Sequence, residues 1–200
     1  ISMILSEVTA VPQATLPIAE FKDHLRLGTG FADDGAQDAL VESYLRAALA
    51  AIEGRIGKAL IARDFMLTLD CWRWPDSQAL PVAPVSAVAS VTIHDRTNAA
   101  EVIDPGIYRL VADRYRPRLV ATGALLPGVP PGGRIEILFT AGFGPGWADV
   151  PADLAQAVFL LAAGYHENRH ERSEAAAMPF GVTALIERWR TVRVLGGRAT

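Results

Sequence analysis

Residues 150–170 read VPADLAQAVFLLAAGYHENRH, and this stretch decides how the rest of the chain is organised. Pro151 suits the first turn of a helix, where its missing N–H would have no partner in any case. Asp149 and Asp153 flank it and favour the positive end of a helix dipole. Apolar residues then recur at helical spacing at Leu154, Val158, Leu161 and Tyr165. A helix that is apolar nearly all round is a buried one, so we predict that this helix forms the centre of a core.

Two further helices are predicted before this segment. Thr15 is a candidate N-cap for the first of them. The stretch Asp34-Gly-Ala-Gln37 has the pattern of a capping box, and a long helix is predicted from there to about Leu60. Gly54 and Gly57 would each weaken that helix by about 1 kcal/mol relative to alanine, or let a neighbouring helix approach closely.

From residue 62 the apolar period changes from helical to two, which is typical of strands with one buried face. The candidate strands cover residues 62–69, 85–95, 106–110, 118–120 and 134–140. Prolines and glycines separate them, as expected for turns. We therefore predict a small, mostly antiparallel β lobe of four or five strands. A short helix carrying Trp189 follows the central helix, and the tail from Thr191 has a strand-like pattern without a local partner.

These elements predict an α+β fold, in which a helical core of three to four helices carries a small β lobe inserted between the second and third helices. We expect a single domain over residues 1–200, since a chain of this length can bury roughly 70% of its unfolded surface. The helical core is expected at about 15–61 and 150–190, the β insertion at about 62–148 and the C-terminal tail at 191–200.

The composition excludes several classes of protein. A formal net charge of −3 gives no global footprint for nucleic-acid binding. The single Cys71 excludes an internal disulfide, and we expect a half-buried structural thiol there. The longest apolar run without a charge, Leu154 to Tyr165, is too short to span a bilayer. No basic stretch followed by an apolar one opens the chain, so we expect no secretory signal.

His166-Glu-Asn-Arg-His170 matches the H-E-x-x-H motif of zinc peptidases, in which two histidines one helical turn apart hold the metal and Glu167 would be the general base. A catalytic zinc needs a third protein ligand, and the chain has Ser173 and Ala176 where the metzincin extension requires Gly and His. The simpler interpretation is a solvated polar helix end, where histidine and arginine suit the C-terminal carbonyls. A small zinc hydrolase is therefore the alternative hypothesis.

Two other stretches were considered as binding sites. Gly142-Phe-Gly-Pro-Gly146 follows a strand and precedes a helix, as a phosphate-binding loop would. Its spacing fits neither the dinucleotide-binding pattern nor the P-loop pattern, so we predict a strand-to-helix turn. Trp72 and Trp74 could stack on bases, and the end of the chain is locally basic through Arg188, Arg190, Arg193 and Arg198. A nucleic-acid-binding module is thus a third hypothesis, although such tryptophans more often serve in packing.

The chain resembles the head–tail connector, or adaptor, proteins of long-tailed phages and of phage-derived gene transfer agents. The matching stretches, which are spread over nearly the whole chain, are LPIAEFKDHLRL at 16–27, IGKAL at 56–60, FTAGFG at 139–144, VP at 150–151, YHENR at 165–169, PFGV at 179–182 and WRTVR at 189–193. In this family a helix end of the kind seen at Tyr165-His-Glu-Asn-Arg169 is an ordinary feature, which makes the two histidines incidental.

The resemblance implies a structural virion protein without enzymatic activity or cofactor. Such proteins form rings, commonly of twelve subunits, beneath the portal protein at the capsid–tail junction, and they are made in the bacterial cytoplasm. A tail-side connector or stopper protein is the second implied partner, DNA passes through the lumen without sequence specificity, and no membrane is involved. The C-terminal segment engages the portal in this family, which points to Trp189, Arg190, Val192, Arg193 and Val194. We expected deletion of 188–200 to leave a folded protein.

Overall fold

The computed structural model describes residues 2–25, 35–168 and 178–190. The predicted cap at Asp34, the second histidine at His170 and the tail from Thr191 lie outside the described residues. The helices are α1 (Ile18–His24), α2 (Gly35–Ile56), α3 (Ala152–Glu167) and α4 (Phe180–Ile186), and a 3-10 turn (Glu187–Trp189) follows α4. The strands are β1 (Met3–Glu7), β2 (Arg63–Leu69), β3 (Ser77–Ala79), β4 (Val85–His94), β5 (Ala100–Val102), β6 (Tyr108–Val111), β7 (Arg118–Ala121) and β8 (Arg134–Ala141). The predicted α+β class is confirmed.

The strands form two antiparallel sheets. The larger one has the order β1-β2-β8-β4-β5, and the smaller one has the order β3-β7-β6. Side chains alternate between buried and half-buried along β2 and β8, as in strands with one face in a core. Phe65, Ile137 and Phe139 of the larger sheet and Tyr108 and Leu119 of the smaller sheet belong to one apolar cluster, so the two sheets share a core.

The prediction of four or five strands was too low. The described part of the chain contains eight strands, and β1 precedes α1 in the chain yet pairs with β2 along its whole length. The three missed strands have no alternating pattern: all residues of β1 and β5 are exposed, and β3 and β5 have three residues each. Residues 63–141, with the other seven strands, follow α2 and precede α3 in the sequence.

The helices form a second apolar cluster around α3. This helix begins directly after Pro151, and Leu154, Ala157, Val158 and Ala162 are fully buried. It packs against α2 on one side and α4 on the other, and Ile52 of α2 and Ile186 of α4 lie in the same cluster. The predicted central, buried helix is confirmed. No helix in the described ranges combines the length and the apolar character that crossing a membrane requires.

The helix α2 ends four residues earlier than predicted. Its last residue is Ile56, and Gly57 adopts a φ of 68°, which L side chains rarely tolerate. The Gly57 N–H donates to the Glu53 carbonyl, which is typical of a helix stopped by a left-handed residue. Beyond it Ala59 pairs with Ala83, so the chain is already extended where the prediction continued the helix to Leu60.

The start of α1 also differs from the prediction. The Thr15 hydroxyl donates to the Pro12 carbonyl, and the N-cap position is held by Pro17. Thr15 therefore closes a separate 3-10 turn (Gln13–Thr15) and does not cap α1. The prediction was wrong because proline directly before Ile18 already sets the chain direction, without a side-chain acceptor.

A buried ion-pair network joins α2 to the larger sheet. Arg63 on β2 makes two contacts with Glu53 of α2, at 2.7 Å and 3.0 Å, and an ion pair of 2.9 Å with Glu7 of β1. Burial alone would lower the pKa of Arg63, but the hydrogen bonds and charge of Glu53, with Glu7, raise it above its usual value. Glu53 also accepts the Leu60 N–H at 2.6 Å, so one carboxylate holds both the strand and the turn that follows α2.

Candidate partner-binding site

The described residues of the C-terminal segment include a buried tryptophan, Trp189. Trp189 is only 3% exposed and lies in the helical cluster. Its indole N–H donates to Oδ2 of Asp153, in the first turn of α3, over 2.7 Å. Phe143 meets the indole edge-on at a ring distance of 5.3 Å, an arrangement that aromatic pairs prefer. Trp189 therefore anchors the end of the 3-10 turn to the centre of the molecule.

The loop between β6 and β7 holds the other side of this anchor. The Arg114 guanidinium lies 4.4 Å from the centre of the Trp189 ring, within the range of a cation–π contact. The Tyr115 hydroxyl donates to the Arg188 carbonyl over 3.3 Å. The 3-10 turn that carries Trp189 is thus fixed to the β lobe as well as to α3.

Lys58, just after α2, contacts both the backbone and an aromatic side chain of this loop. It is 1% exposed, its ammonium donates to the Arg114 carbonyl over 2.8 Å, and it lies 4.2 Å from the centre of the Tyr115 ring. Burial, and secondarily the positive charge of Arg114, lower the pKa of Lys58 to about 8, against a smaller opposing effect of Asp113. Lys58, the loop and Trp189 together form one contact network, which we call the Trp189 anchor.

The two arginines beside the anchor face solvent. The Arg188 side chain is 70% exposed and pairs with Asp153 at 2.7 Å, and Arg190 pairs with Glu187 at 3.0 Å. Val192, Arg193 and Val194 lie outside the described residues. Because Trp189 belongs to the core, deleting everything from residue 188 on would remove part of that core, contrary to the expectation that this deletion leaves a folded protein.

The H-E-x-x-H match is only partly described. His166 and Glu167 occupy the last turn of α3, and the His166 ring meets Tyr44 of α2 edge-on at 5.9 Å. His170 lies outside the described residues. Within residues 2–25, 35–168 and 178–190, no group of three or more histidine, cysteine or carboxylate side chains could hold a metal ion.

The glycine-rich stretch at 142–146 is a strand-to-helix turn, as predicted. Gly142 follows β8 with a φ of 143°, and a Cβ on it would lie 2.3 Å from the backbone of Ala62. The Ala62 N–H donates to the Gly144 carbonyl, so the turn is closed against the start of β2. Glycine is needed here because two backbones approach closely.

The candidate aromatic and thiol side chains of the β lobe differ in their burial. Trp72 is half-buried and its indole N–H donates to the Pro127 carbonyl over 2.7 Å, whereas Trp74 is about half exposed. Trp72 is thus committed to packing within the lobe. Cys71 is exposed, which corrects the expected half-buried thiol, and a hydrogen bond with the Asp70 carboxylate raises its pKa.

Sequence reasoning missed most of the Trp189 anchor. Asp153 was interpreted only as a favourable charge at a helix start, and the loop around Arg114 and Tyr115 was not considered. One usable signal was present: the run Asp113-Arg-Tyr-Arg-Pro-Arg118 concentrates three arginines around an aromatic residue. Such a run suits contacts with another aromatic side chain, but its partner at Trp189 is distant in the sequence.

Comparisons with known proteins agree with the fold and the segment order. The family described as phage gp6-like head-tail connector protein matches residues 16–105. A chain from the neck of an empty GTA particle, computed with C6 symmetry, is 62% identical with a TM-score of 0.89, covering 98% of this chain and 99% of that chain. A chain from the virion of a native gene transfer agent (GTA) particle is 64% identical with a TM-score of 0.86 and the same coverage.

A third solved chain, from the neck of a native GTA particle computed with C12 symmetry, is 58% identical with a TM-score of 0.84, again covering 98% of this chain and 99% of that chain. No curated protein matches the chain at a significant level. Identity at this level over nearly the full length of both chains exceeds what a shared fold alone produces. The chain belongs to the phage gp6-like head-tail connector family.

Proposed function

We propose that this protein is a structural adaptor in the neck of a phage-like particle, where twelve copies form a ring that joins the portal protein to the tail. The observation that carries the proposal is the likeness over 98% of the chain to a protein of a GTA neck solved with C12 symmetry. The ring sits at the capsid–tail junction, its second partner is a tail-side connector or stopper, and its role is structural rather than enzymatic.

The C-terminal segment is the proposed portal-binding element. Trp189 fixes its root, Arg190 is its first exposed residue, and Val192, Arg193 and Val194 make the contact. The root is well suited to this function because its contacts to α3 and to the β6–β7 loop hold the segment at a defined point of departure. The alternating pattern of the tail suits addition to the edge of a partner's sheet.

Many weak contacts are sufficient for such a joint. A single tail contact of about 4 kcal/mol corresponds to only millimolar affinity. In a ring, the copies bind together, and the effective concentration of each further tail raises the overall affinity by orders of magnitude. The subunits can therefore assemble reversibly, and only the complete ring binds its partner tightly.

The charge of the chain suits a conduit for DNA. Phosphate contacts with lysine and arginine retain nucleic acid, and each contact adds to the affinity. A subunit with a net charge of −3 has no excess of such cations, so DNA moves through the lumen without being held. The adaptor therefore permits passage without recognising sequence.

Truncation after Arg190 tests the tail assignment. The protein lacking residues 191–200 keeps the Trp189 anchor and is expected to unfold at the same temperature as the full chain, but not to co-purify with portal rings. Val192→Asp and Arg193→Glu are expected to weaken co-purification, whereas Arg73→Glu, which reverses an exposed arginine of the β lobe, serves as the matched control. Undiminished portal binding by the truncated protein would exclude the tail as the portal-binding element.

A further inference from the structure

The strand β1 is an unprotected apolar edge. All five of its residues are exposed, including Met3 at 56% and Ile4 at 62%. Within the described ranges it pairs with β2 alone and is the end strand of the larger sheet. Proteins usually guard such edges with lysine, proline or a bulge, because an open edge is a template for another strand. Residues 3–6 have no such device, and the one charged residue of β1, Glu7, is engaged by Arg63.

The opposite edge of the same sheet is also open. Among the described residues the strand β5 pairs only with β4, all three of its residues are exposed, and Val102 is 69% exposed beside Glu101. The larger sheet therefore has an open edge at each end, and each edge carries an exposed apolar side chain.

Ile4 and Val102 lie on one row and one face of the sheet. The register runs from Ile4 through Thr68, Glu136 and Thr92 to Val102, each paired directly with the next. Residues paired in this way point to the same face. Four antiparallel steps separate the two edges, so β1 and β5 also run in the same direction. A second sheet placed edge to edge would thus bring Ile4 of one copy beside Val102 of another.

The surface around β1 continues beyond the edge. Leu5, on the opposite face of the strand, opens on a groove of about 420 Å³ that lies against the end of α2. Its lining combines apolar residues such as Phe65 and Val82 with the charged residues Glu7, Glu53, Lys58 and Arg63. The groove has room for side chains of a neighbouring molecule.

Rotational symmetry determines which strand of a neighbouring subunit can lie beside β1. In a cyclic ring each subunit uses two different surfaces, one for the preceding copy and one for the following copy. A ring rotation about an axis along the strands preserves strand direction, and β1 and β5 already point the same way. We propose that β1 of one subunit lies parallel to β5 of the next, with Ile4 against Val102, as part of the contact that closes the ring. This inference rests on the ring assembly proposed above.

Paired cysteines test the contact in assembled rings. In a Cys71→Ser background, the double variant Ile4→Cys/Val102→Cys is assembled with the portal and treated with a short bis-maleimide. The expected result is a ladder of covalent multimers rising towards the full ring, because each copy is linked to two others. Each single variant and the control pair Ile4→Cys/Phe180→Cys, which uses an exposed position on α4, is expected to remain monomeric.

A second pair covers the case in which the first impairs assembly. Met3 and Glu101 share the neighbouring row through Leu69, Ile135 and Ile93, on the other face of the sheet. Met3→Cys/Glu101→Cys is therefore expected to give the same ladder. In Ile4→Cys alone, labelling by a monofunctional maleimide is expected to slow at least about tenfold in rings relative to free subunits.

The outcomes separate this inference from the proposed function. Rings without a ladder in either pair, or with Ile4 labelled at the rate of the free subunit, overturn the edge contact and leave the adaptor function intact. Covalent dimers from Ile4→Cys alone show a symmetric β1–β1 contact and also overturn it. Failure of the unsubstituted protein to form any ring with the portal overturns the adaptor function and this inference together.

Discussion

The indole N–H of Trp189 donates to Oδ2 of Asp153 over 2.7 Å, and this bond joins the last described turn of the chain to the first turn of α3. The same carboxylate oxygen pairs with Arg188 at 2.7 Å. Asp153 therefore acts at a helix start and at the root of the C-terminal segment at once. The turn at residues 187–189 is thereby fixed to the central helix of the core.

Two substitutions of Trp189 should separate the stability that comes from its hydrogen bond from the stability that comes from its packing. Trp189→Phe keeps an aromatic ring but loses the hydrogen bond to Asp153, for which we expect a loss of about 1 kcal/mol. Trp189→Ala also leaves a cavity beneath Arg114 and Phe143, for which we expect about 3–5 kcal/mol. The free energy of unfolding in urea measures both.

Trp74→Ala is the matched control, because Trp74 is about half exposed, and its loss should be well below that of Trp189→Ala. Equal losses for Trp189→Ala and Trp74→Ala would mean that Trp189 does not anchor the turn. A Trp189→Phe protein that is stable but does not bind the portal would instead indicate direct contact of the indole with the partner.

Removing the charge of Glu53 should be far more damaging than removing that of Glu42, a half-buried carboxylate on the same helix. Glu53→Gln leaves the Arg63 guanidinium in the interior with only Glu7 as a counter-charge, and breaking a buried pair in this way costs about 3–5 kcal/mol. Glu42→Gln, in the i, i+4 pair with Arg46 on the same helix, should cost less than about 0.5 kcal/mol. Thermal or urea unfolding of the two variants gives the comparison.

The double variant Glu53→Leu/Arg63→Met completes the test. If the large loss in Glu53→Gln arises from an uncompensated charge, removing both charges should recover part of the stability, and the two single effects should not add. Additive losses would show that Glu53 acts mainly through its bond to the Leu60 N–H.

The buried helices and strands of this fold were predictable from the sequence, but its edge strands were not. The strand β2 was predictable because Phe65, Leu67 and Leu69 alternate with more polar residues, and α3 was predictable because its apolar residues leave no polar face. The strand β1 has no alternation, since neither of its faces is covered in the subunit, and burial is what produces the pattern. Its pairing with β2 joins residues about 60 positions apart, as in Ser6 with Met66.

The candidate site was predictable only in part for the same reason. The family resemblance pointed to Trp189 as part of the C-terminal segment, but its burial depends on Asp153, Phe143 and Arg114, which come from three distant segments. Spacing rules report neighbours on one element and cannot report such contacts. The C-terminal segment was therefore assigned to a partner as a whole, whereas Trp189 belongs to the core.

The stability of the protein should rise with pH through the range in which Lys58 loses its proton. The pKa of Lys58 is lowered from 10.5 to about 8 in the fold, mainly by burial. Between these two values the unfolded chain binds more protons than the folded one, so the free energy of unfolding increases with pH. Below pH 8 the lysine is charged in both states, and its contribution no longer changes.

The measurement compares the unsubstituted protein with Lys58→Met from pH 7 to pH 10. The difference in the free energy of unfolding between the two should be constant near pH 7 and shift in favour of the unsubstituted protein above pH 8. Because other groups titrate equally in both proteins, the difference isolates Lys58. Parallel curves over the whole range would show that Lys58 is not desolvated in solution.

Alanine at the two glycines near the end of α2 should have opposite effects. Gly54 lies inside the helix with open space around its missing side chain, so Gly54→Ala should stabilise the protein by about 0.5–1 kcal/mol. Gly57 has a φ of 68°, where an L side chain is strained, so Gly57→Ala should destabilise it by about 1 kcal/mol or more. The two glycines were expected to act alike, and their backbone conformations separate them.

The two variants serve as each other's control, since they add the same methyl group three residues apart on one helix end. Urea unfolding curves of the free subunit give both free energies directly. Equal stabilisation by both would mean that α2 continues past Ile56, as the sequence pattern had predicted, and that Gly57 does not stop the helix. Opposite signs would establish that Gly57 ends α2 and turns the chain into the extended segment at Ala59, next to the buried Lys58 that supports the β6–β7 loop.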